Sequence, residues 1–189
     1  TVNDNDGTTS SPASFTVTVA DVNDAPLANN DVVSTNEDTP VSKNVTTNDT
    51  DVDGTIDVAT VDLDTATPGI QITFTVPSEG TYTVDNLGIV TFTPVGNFNG
   101  IATPINYTVN DNDGTTSSPA SFTVTVADVN DAPLANNDVV STNEDTPVSK
   151  NVTTNDTDVD GTIDLATVDL DTATSGIQTT FTVPSEGTY

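Results

Sequence analysis

Residues 1–82 recur as residues 108–189 with only three differences: Val58 against Leu165, Pro68 against Ser175, and Ile72 against Thr179. The offset of 107 residues is the length of a whole small domain, far longer than one turn of a solenoid. The fold must therefore be one that can be strung in series. Copying this faithful suggests that the number of units matters more than the individuality of any one, and the chain reads as a piece of a longer tandem array.

Charge sets the next constraint. The chain carries 29 acidic residues against two lysines, Lys43 and Lys150, with no arginine and no histidine, a formal net charge of -27. Nucleic acid and anionic membrane are poor partners for such a surface. High charge with 33% hydrophobic residues also favours disorder in the absence of a counter-ion. Against that stands period-two alternation of Thr, Val, Ile and Phe, which is strand chemistry. Divalent cations would reconcile the two. With no cysteine, disulfides and thiolate zinc sites are excluded. No apolar run approaches the roughly 18 residues of a membrane span, and residue 1 does not open a signal-peptide pattern.

Each period alternates short apolar-patterned runs with Asp, Asn, Gly and Pro clusters, the signature of an antiparallel β-sandwich. Strands are predicted over residues 31–35, 40–45, 55–63, 70–76, 81–85, 88–94, 104–110 and 118–127. The expected core contains Ile72, Phe74, Val76, Val90, Phe92, Phe98, Ile105, Tyr107, Val109, Phe122, Val124 and Val126, and the change of Ile72 to Thr179 should cost the second copy some packing. Polar, proline-ended hexapeptides at 21–26 and 128–133 mark the boundaries. They predict C-terminal strands of a preceding repeat at 1–25, one complete β-sandwich at 26–132, and the N-terminal half of a following repeat at 133–189. Open edges at either end should fray or pair with another chain.

The strongest chemical motif places Asp49, Asp51 and Asp53 at alternate positions before Gly54, and repeats as Asp156, Asp158 and Asp160 before Gly161. Carboxylates so spaced can converge on one hard cation, with glycine permitting the turn. Thr60 stands where an EF-hand needs its bidentate glutamate, and no helices flank the loop, so an EF-hand is excluded. Further oxygen donors come from Asp111 and Asp113 before Gly114, from the linkers (Asp21, Asn23, Asp24; Asp128, Asn130, Asp131), and from Glu37. An Asp-Gly hairpin turn or a solvated acidic turn would read the same way. Asp62, Asp64 and Glu79 read as surface or turn residues. No carboxylate pair is accompanied by histidine, arginine or an aromatic sugar platform, so the chain is not expected to be an enzyme.

The run from Tyr107 and Val109 through Asp111, Asp113 and Gly114 to Asp128, Asn130, Asp131 and Pro133 resembles the end of a cadherin-type domain with its linker. Asn97, Phe98, Asn99 and Gly100, leading into the strand through Tyr107, resemble the cadherin-like and immunoglobulin-like repeats of giant bacterial surface adhesins, RTX-type adhesins among them. The resemblance covers essentially the whole period. It implies calcium (Ca2+) held at junctions by neighbouring domains and the linker. At 128–131 the implied ligands are Glu37, Asp128, Asn130, Asp131, Asp156, Asp158 and Asp160. At 21–24 they are Asp21, Asn23, Asp24, Asp49, Asp51, Asp53, Asp111 and Asp113. The family's mid-domain Asp-Arg-Glu motif is absent, which points to about one to three ions per junction.

The resemblance further implies an extracellular spacer on a bacterial surface, partnered by identical repeats and stiffened by calcium to project a distal binding region. The alternative is a calcium-dependent binding module, homophilic or carbohydrate-directed. Its expected mark, exposed aromatics, is scarce, since the chain has no tryptophan and only nine Tyr and Phe. Ice binding ranks below both, because the threonines follow no short repeat.

Overall fold

The computed structural model describes residues 1–188. One complete β-sandwich is formed by nine strands: β1 (Asp31–Asn36), β2 (Val41–Asn44), β3 (Ile56–Asp62), β4 (Thr73–Val76), β5 (Gly80–Val84), β6 (Ile89–Pro94), β7 (Gly100–Ile101), β8 (Ile105–Asp111) and β9 (Ala120–Ala127). A single 3-10 turn, Val45–Asn48, follows β2. One sheet runs β1-β9-β8-β3, with β7 also on β9; the other runs β2-β6-β5-β4. β1 lies parallel to β9, from Asp31 opposite Phe122 to Asn36 opposite Ala127, and the remaining pairings are antiparallel.

Alternation builds the core directly. Ala120, Phe122, Val124 and Val126 of β9 are buried while Ser121, Thr123 and Thr125 between them are not. Ile105, Tyr107 and Val109 of β8 face the same way. From the opposite sheet come Tyr82, Val84, Val90 and Phe92, and Val45, Val61 and Leu63 close the sides. Tyr82 stacks at a tilt on Phe92, centroids 4.6 Å apart, and meets Phe122 edge-on at 6.1 Å, geometries that suit the ring quadrupoles.

One expected core residue is not in the core. Ile72 is 61% exposed, because β4 begins only at Thr73. The difference between Ile72 and Thr179 is thus a surface difference, and the packing loss expected from it is withdrawn. Phe74, Val76 and Phe98 are half-buried against the core.

The predicted strand over 104–110 also has an unforeseen forerunner. β7 and β8 pair with the same side of β9, their registers displaced by one residue, and Thr103 and Pro104 lie at the break. Proline has no N–H to give a ladder. The Thr103 N–H and hydroxyl turn instead to the Glu79 carboxylate at 2.6 and 2.9 Å, and the Tyr82 hydroxyl donates to the Thr103 carbonyl at 3.2 Å. Burial, helped by the Glu79 charge, pushes the Tyr82 phenol up to about 12. Glu79, read from sequence as a turn residue, ties the two sheets together.

The flanking segments repeat the sequence without repeating the fold. Residues 11–25 form no strand, and Phe15, the repeat-equivalent of Phe122, is 92% exposed. In residues 133–188 the structure holds a 3-10 turn (Leu165–Thr167) and the small hairpin of β10 (Thr182–Val183) and β11 (Gly187–Thr188). Residues 138–143, equivalent to β1, form no strand. Identical sequence behaves differently because a strand needs its neighbours: β9 is held between β1 and β8, and residues 13–20 have neither.

Candidate metal centre

β1 and β9 run together from one end of the sandwich to the other, so the linker at 21–26 and the linker at 128–133 leave from opposite ends. Acidic loops surround both.

At the first end, the loop after the 3-10 turn folds back on itself. The Asp51 carboxylate accepts the N–H groups of Asp53 at 3.2 Å and Gly54 at 2.9 Å, the Asx-turn geometry that short acidic side chains favour. Gly54 is needed for proximity, since a Cβ there would sit 2.6 Å from Asn112 Oδ1. Asn112, between the two predicted acids of its loop, accepts the Thr55 N–H at 2.7 Å and so joins the loops. The linker docks onto both of them. The Asp24 N–H donates to Asp53 Oδ2 at 3.0 Å. Asn23 Nδ2 donates to Asp111 Oδ2 at 2.7 Å and to the Thr115 hydroxyl at 2.8 Å. Asp111 is itself buried, its other oxygen accepting the N–H groups of Asp113 and Thr115 at 2.9 and 2.8 Å.

The electrostatics follow this geometry. The Asn23 amide, with the Thr115, Asp113 and Gly114 N–H groups, holds the Asp111 carboxyl below its ordinary value against the opposing effect of burial. At Asp53 the Asp24 N–H lowers the carboxyl, but desolvation and the adjacent Asp51 and Asp24 charges outweigh it, leaving Asp53 raised. Removing the Asn23 amide should therefore move Asp111 upward. In an Asn23→Ala variant, the Asp111 side-chain carboxyl signal followed by NMR is expected to titrate at higher pH than in the parent. A group lowered by folding contributes stability above its unfolded pKa and loses it as pH falls through the folded one, so the variant should be less stable than the parent at neutral pH, with the deficit shrinking as the pH falls through the carboxylate range.

Asp49 is placed elsewhere. It accepts the Asn29 N–H at 2.7 Å, and the Tyr107 hydroxyl lies 3.1 and 3.3 Å from its two oxygens; none of its hydrogen bonds goes to residues 21–24. The same hydroxyl lies 2.8 Å from the Asn29 carbonyl, 3.1 Å from Asp31 Oδ2 and 3.1 Å from the Val45 carbonyl. Lys43, the sole cation of the complete unit, sits 3.2 Å from Asp31 Oδ1. Burial raises the Asp49 carboxyl, opposed by the Asn29 N–H and the Tyr107 hydroxyl and reinforced by the Asp31 charge. Burial, with the charges of Asp49 and Asp31, also raises the Tyr107 phenol. This is an interior anchor directly behind the acidic loop.

At the second end, the Glu37 carboxylate accepts the Val129 N–H, and the Glu37 N–H donates to the Ala127 carbonyl at 2.9 Å, with Glu37 only 5% exposed. Asn99 Nδ2 holds Asp128 at 2.9 Å. The Asp131 N–H then donates to Asp160 Oδ2 at 3.0 Å, and Asp158 accepts the Asp160 and Gly161 N–H groups at 3.3 and 2.9 Å, reproducing the pattern of the first linker. Asn130 Nδ2 turns to the Asp131 carbonyl at 2.8 Å. Asp156 accepts the Asn136 N–H at 2.8 Å, as Asp49 accepts that of Asn29. The side chains of Asp21 and Asp113 make no hydrogen bond among the described residues.

Among the described residues, no three acidic side chains close into a set that would hold a metal ion. The donors do fit a hard cation in kind, being all carboxylate and amide oxygens. Asp51 Oδ2 is a buried oxygen without a hydrogen-bond partner, beside the crowded carboxylate of Asp53. Sequence reading missed Asn99, Asn112 and Thr115 as linker and loop clasps, although Asn112 stands between two predicted ligands.

Two opposed sheets with linkers at opposite ends define the class: β-sandwich modules built to be joined end to end. A family model for the bacterial cadherin-like domain matches residues 23–128, and one for the bacterial Ig domain matches residues 130–189. The first match spans more than half of the chain, which therefore belongs to the bacterial cadherin-like family. No curated protein is similar to it at a significant level. Membership makes the chain an adhesion-type repeat module of extracellular surface proteins, a class of structural and typically non-enzymatic domains. No helix among the described residues is long and apolar enough to cross a membrane.

Proposed function

We propose that the chain is a stretch of the extender of a large, RTX-type bacterial surface adhesin, whose units are locked in line by calcium at their junctions so that a distal binding region is held away from the cell. The observation that carries this reading is the placement of acids: each linker leaves from its own end of the sandwich through a collar of carboxylates and asparagines. Calcium would be held at the first junction by Asp51 and Asp53 with Asp24, Asn23 and Asp111, and at the second by Glu37, Asp128 and Asp131 with Asp158 and Asp160. When bound, the ion supplies positive charge that cancels repulsion between carboxylates on the linker and on its neighbour. Without it those carboxylates repel and the linker pivots. The contacts from the Asp24 N–H to Asp53 and from the Asn23 amide to Asp111 seat the linker against these loops, and calcium would add the restraint that stops it pivoting.

A binding module is the weaker reading. All six aromatic side chains within 26–132, Phe74, Tyr82, Phe92, Phe98, Tyr107 and Phe122, are buried or half-buried, which leaves no aromatic anchor for a partner.

Calcium titration of the chain tests the proposal. Uptake with affinity around 10⁻⁴ to 10⁻³ M is expected, as in extracellular modules, together with a rise in melting temperature from binding to the folded state alone. An Asp51→Asn, Asp53→Asn double variant should bind fewer ions while keeping its β spectrum. Absence of uptake at millimolar calcium, or an unaltered ion count in the variant, would sink the assignment of these residues.

A further inference from the structure

Asn99 and Gly100 form the only Asn-Gly dipeptide in the chain; every other asparagine is followed by a residue that carries a Cβ. The difference is chemical. The backbone nitrogen after an asparagine can attack the side-chain carbonyl carbon, and glycine, with no Cβ in the way and wide backbone freedom, lets the ring close where other residues obstruct it. The fold presents this dipeptide openly. Asn99 and Gly100 are both exposed. Gly100 takes a φ of +111°, and beyond its chain neighbours no atom lies within 4 Å of where a Cβ would stand. β7, which Gly100 opens, is two residues long and pairs only with Val126 and Thr125 of β9. So short and exposed a strand opens locally at small cost, which frees the Gly100 nitrogen. The Asp-Gly turns of the same unit differ: the Gly54 N–H is held by Asp51 at 2.9 Å and the Gly114 N–H by the Asp111 carbonyl at 3.2 Å.

The position of Asn99 gives that reaction a consequence. Its Nδ2 donates to Asp128 Oδ1 at 2.9 Å, where the chain leaves β9 for the linker. The next N–H along, that of Val129, goes to the Glu37 carboxylate, and the adjacent Asp38 accepts the Asn97 N–H at 3.1 Å. The linker thus leaves past three carboxylates, each held by one nitrogen donor. Of these donors only the Asn99 amide is a side chain, and it is the one that ring closure would remove.

We propose that Asn99 is a site of self-modification, at which the linker clasp is converted into a further carboxylate. In the first step a bond forms between the Gly100 nitrogen and Asn99 Cγ and the Cγ–Nδ2 bond breaks. The Gly100 proton passes through water to the departing nitrogen, so ammonia leaves and a five-membered imide remains. In the second step water adds to one of the two imide carbonyls and the ring opens, giving an aspartate or, with the backbone rerouted through the side chain, an isoaspartate. Water is the sole co-reactant, and nothing is oxidised or reduced. Either product has lost the donor to Asp128 and carries a negative charge beside it, so the clasp opens by repulsion. This goes beyond the extender reading and holds whether or not a metal ion occupies the collar.

The test holds the 189-residue chain at mildly alkaline pH in EDTA, with samples withdrawn over several weeks, cleaved after glutamate and read by fragment-ion mass spectrometry. The mass gain of amide-to-acid conversion is expected at residue 99 about tenfold faster than at any other asparagine, because only there is the attacking nitrogen free of a neighbouring Cβ. Conversion at residue 99 no faster than at Asn86 or Asn97, which are exposed but precede leucine and phenylalanine, overturns the proposal. The consequence is read in an Asn99→Asp variant, which installs the charge at once at an exposed position. Hydrogen exchange of the Val129 amide, followed by NMR in EDTA, is expected about fivefold faster than in the parent, the protection that one hydrogen bond contributes. An unchanged Val129 rate in that variant would overturn the opening of the clasp. Because both readings are made without metal, failure of the calcium-locked extender would leave them standing.

Discussion

Phe122→Ala is expected to destabilise the complete sandwich by about 3–5 kcal/mol, a large share of the roughly 5–15 kcal/mol that holds a domain of this kind together. Phe122 is fully buried, held on the central strand between β1 and β8, and its ring meets Tyr82 from the opposite sheet. Truncation removes the transfer energy of the ring and leaves a void that two sheets fixed by their ladders cannot collapse to fill. Urea unfolding measures it as a fall in midpoint at nearly constant slope. The repeat supplies its own control. Phe15 lies in the same local sequence but is 92% exposed, so Phe15→Ala should change stability by no more than about 0.5 kcal/mol. Equal effects at both positions would mean that residues 1–25 are packed in a way the structure does not show.

The second large effect is expected from Tyr107→Phe, which keeps the ring and deletes one oxygen. The hydroxyl is the donor shared among Asp31, Asp49 and two carbonyls in the interior. Losing it leaves buried acceptors unpaired, at a cost of about 1–3 kcal/mol. The cost should depend on pH in a definite direction. Asp49 is already raised by burial and by the Asp31 charge, and Tyr107 is one of the groups that lower it. Without the hydroxyl it is raised further. A carboxyl raised by folding contributes stability below its unfolded pKa and loses it as pH climbs through the folded one. The variant's deficit should therefore be larger at neutral pH than near the ordinary carboxylate pKa of about 4. A deficit independent of pH would remove Asp49 from the anchor.

These residues also show what the sequence could and could not convey. Alternation in 118–127 and 104–110 locates two strands and their buried faces, because a strand's own period decides which side chains share a face. The same rule misplaces Ile72, since alternation does not say where a strand begins to pair. It also misses the interruption at Thr103 and Pro104, whose repair by Glu79 depends on a contact between sheets. The acidic loop at 49–54 is legible as a cluster of oxygen donors from spacing alone. That Asp49 turns inward depends on Tyr107, 58 positions further along the chain, and that Asp53 reaches Asp24 of the linker while Asp51 closes its own loop is likewise something no local pattern encodes. The linker clasps made by Asn99, Asn112 and Thr115 are of the same kind: neutral side chains whose role comes from what they reach.

Small-angle X-ray scattering on a chain of two whole 107-residue repeats, first in calcium and then in excess EDTA, tests the extender account most directly. Calcium-locked junctions predict a long, sharply bounded maximum dimension that gives way to a shorter, broader distribution once the metal is removed. A profile unchanged by EDTA would contradict the account, because the carboxylate collars would then be solvated turns and the direction of each linker would be set by the protein alone.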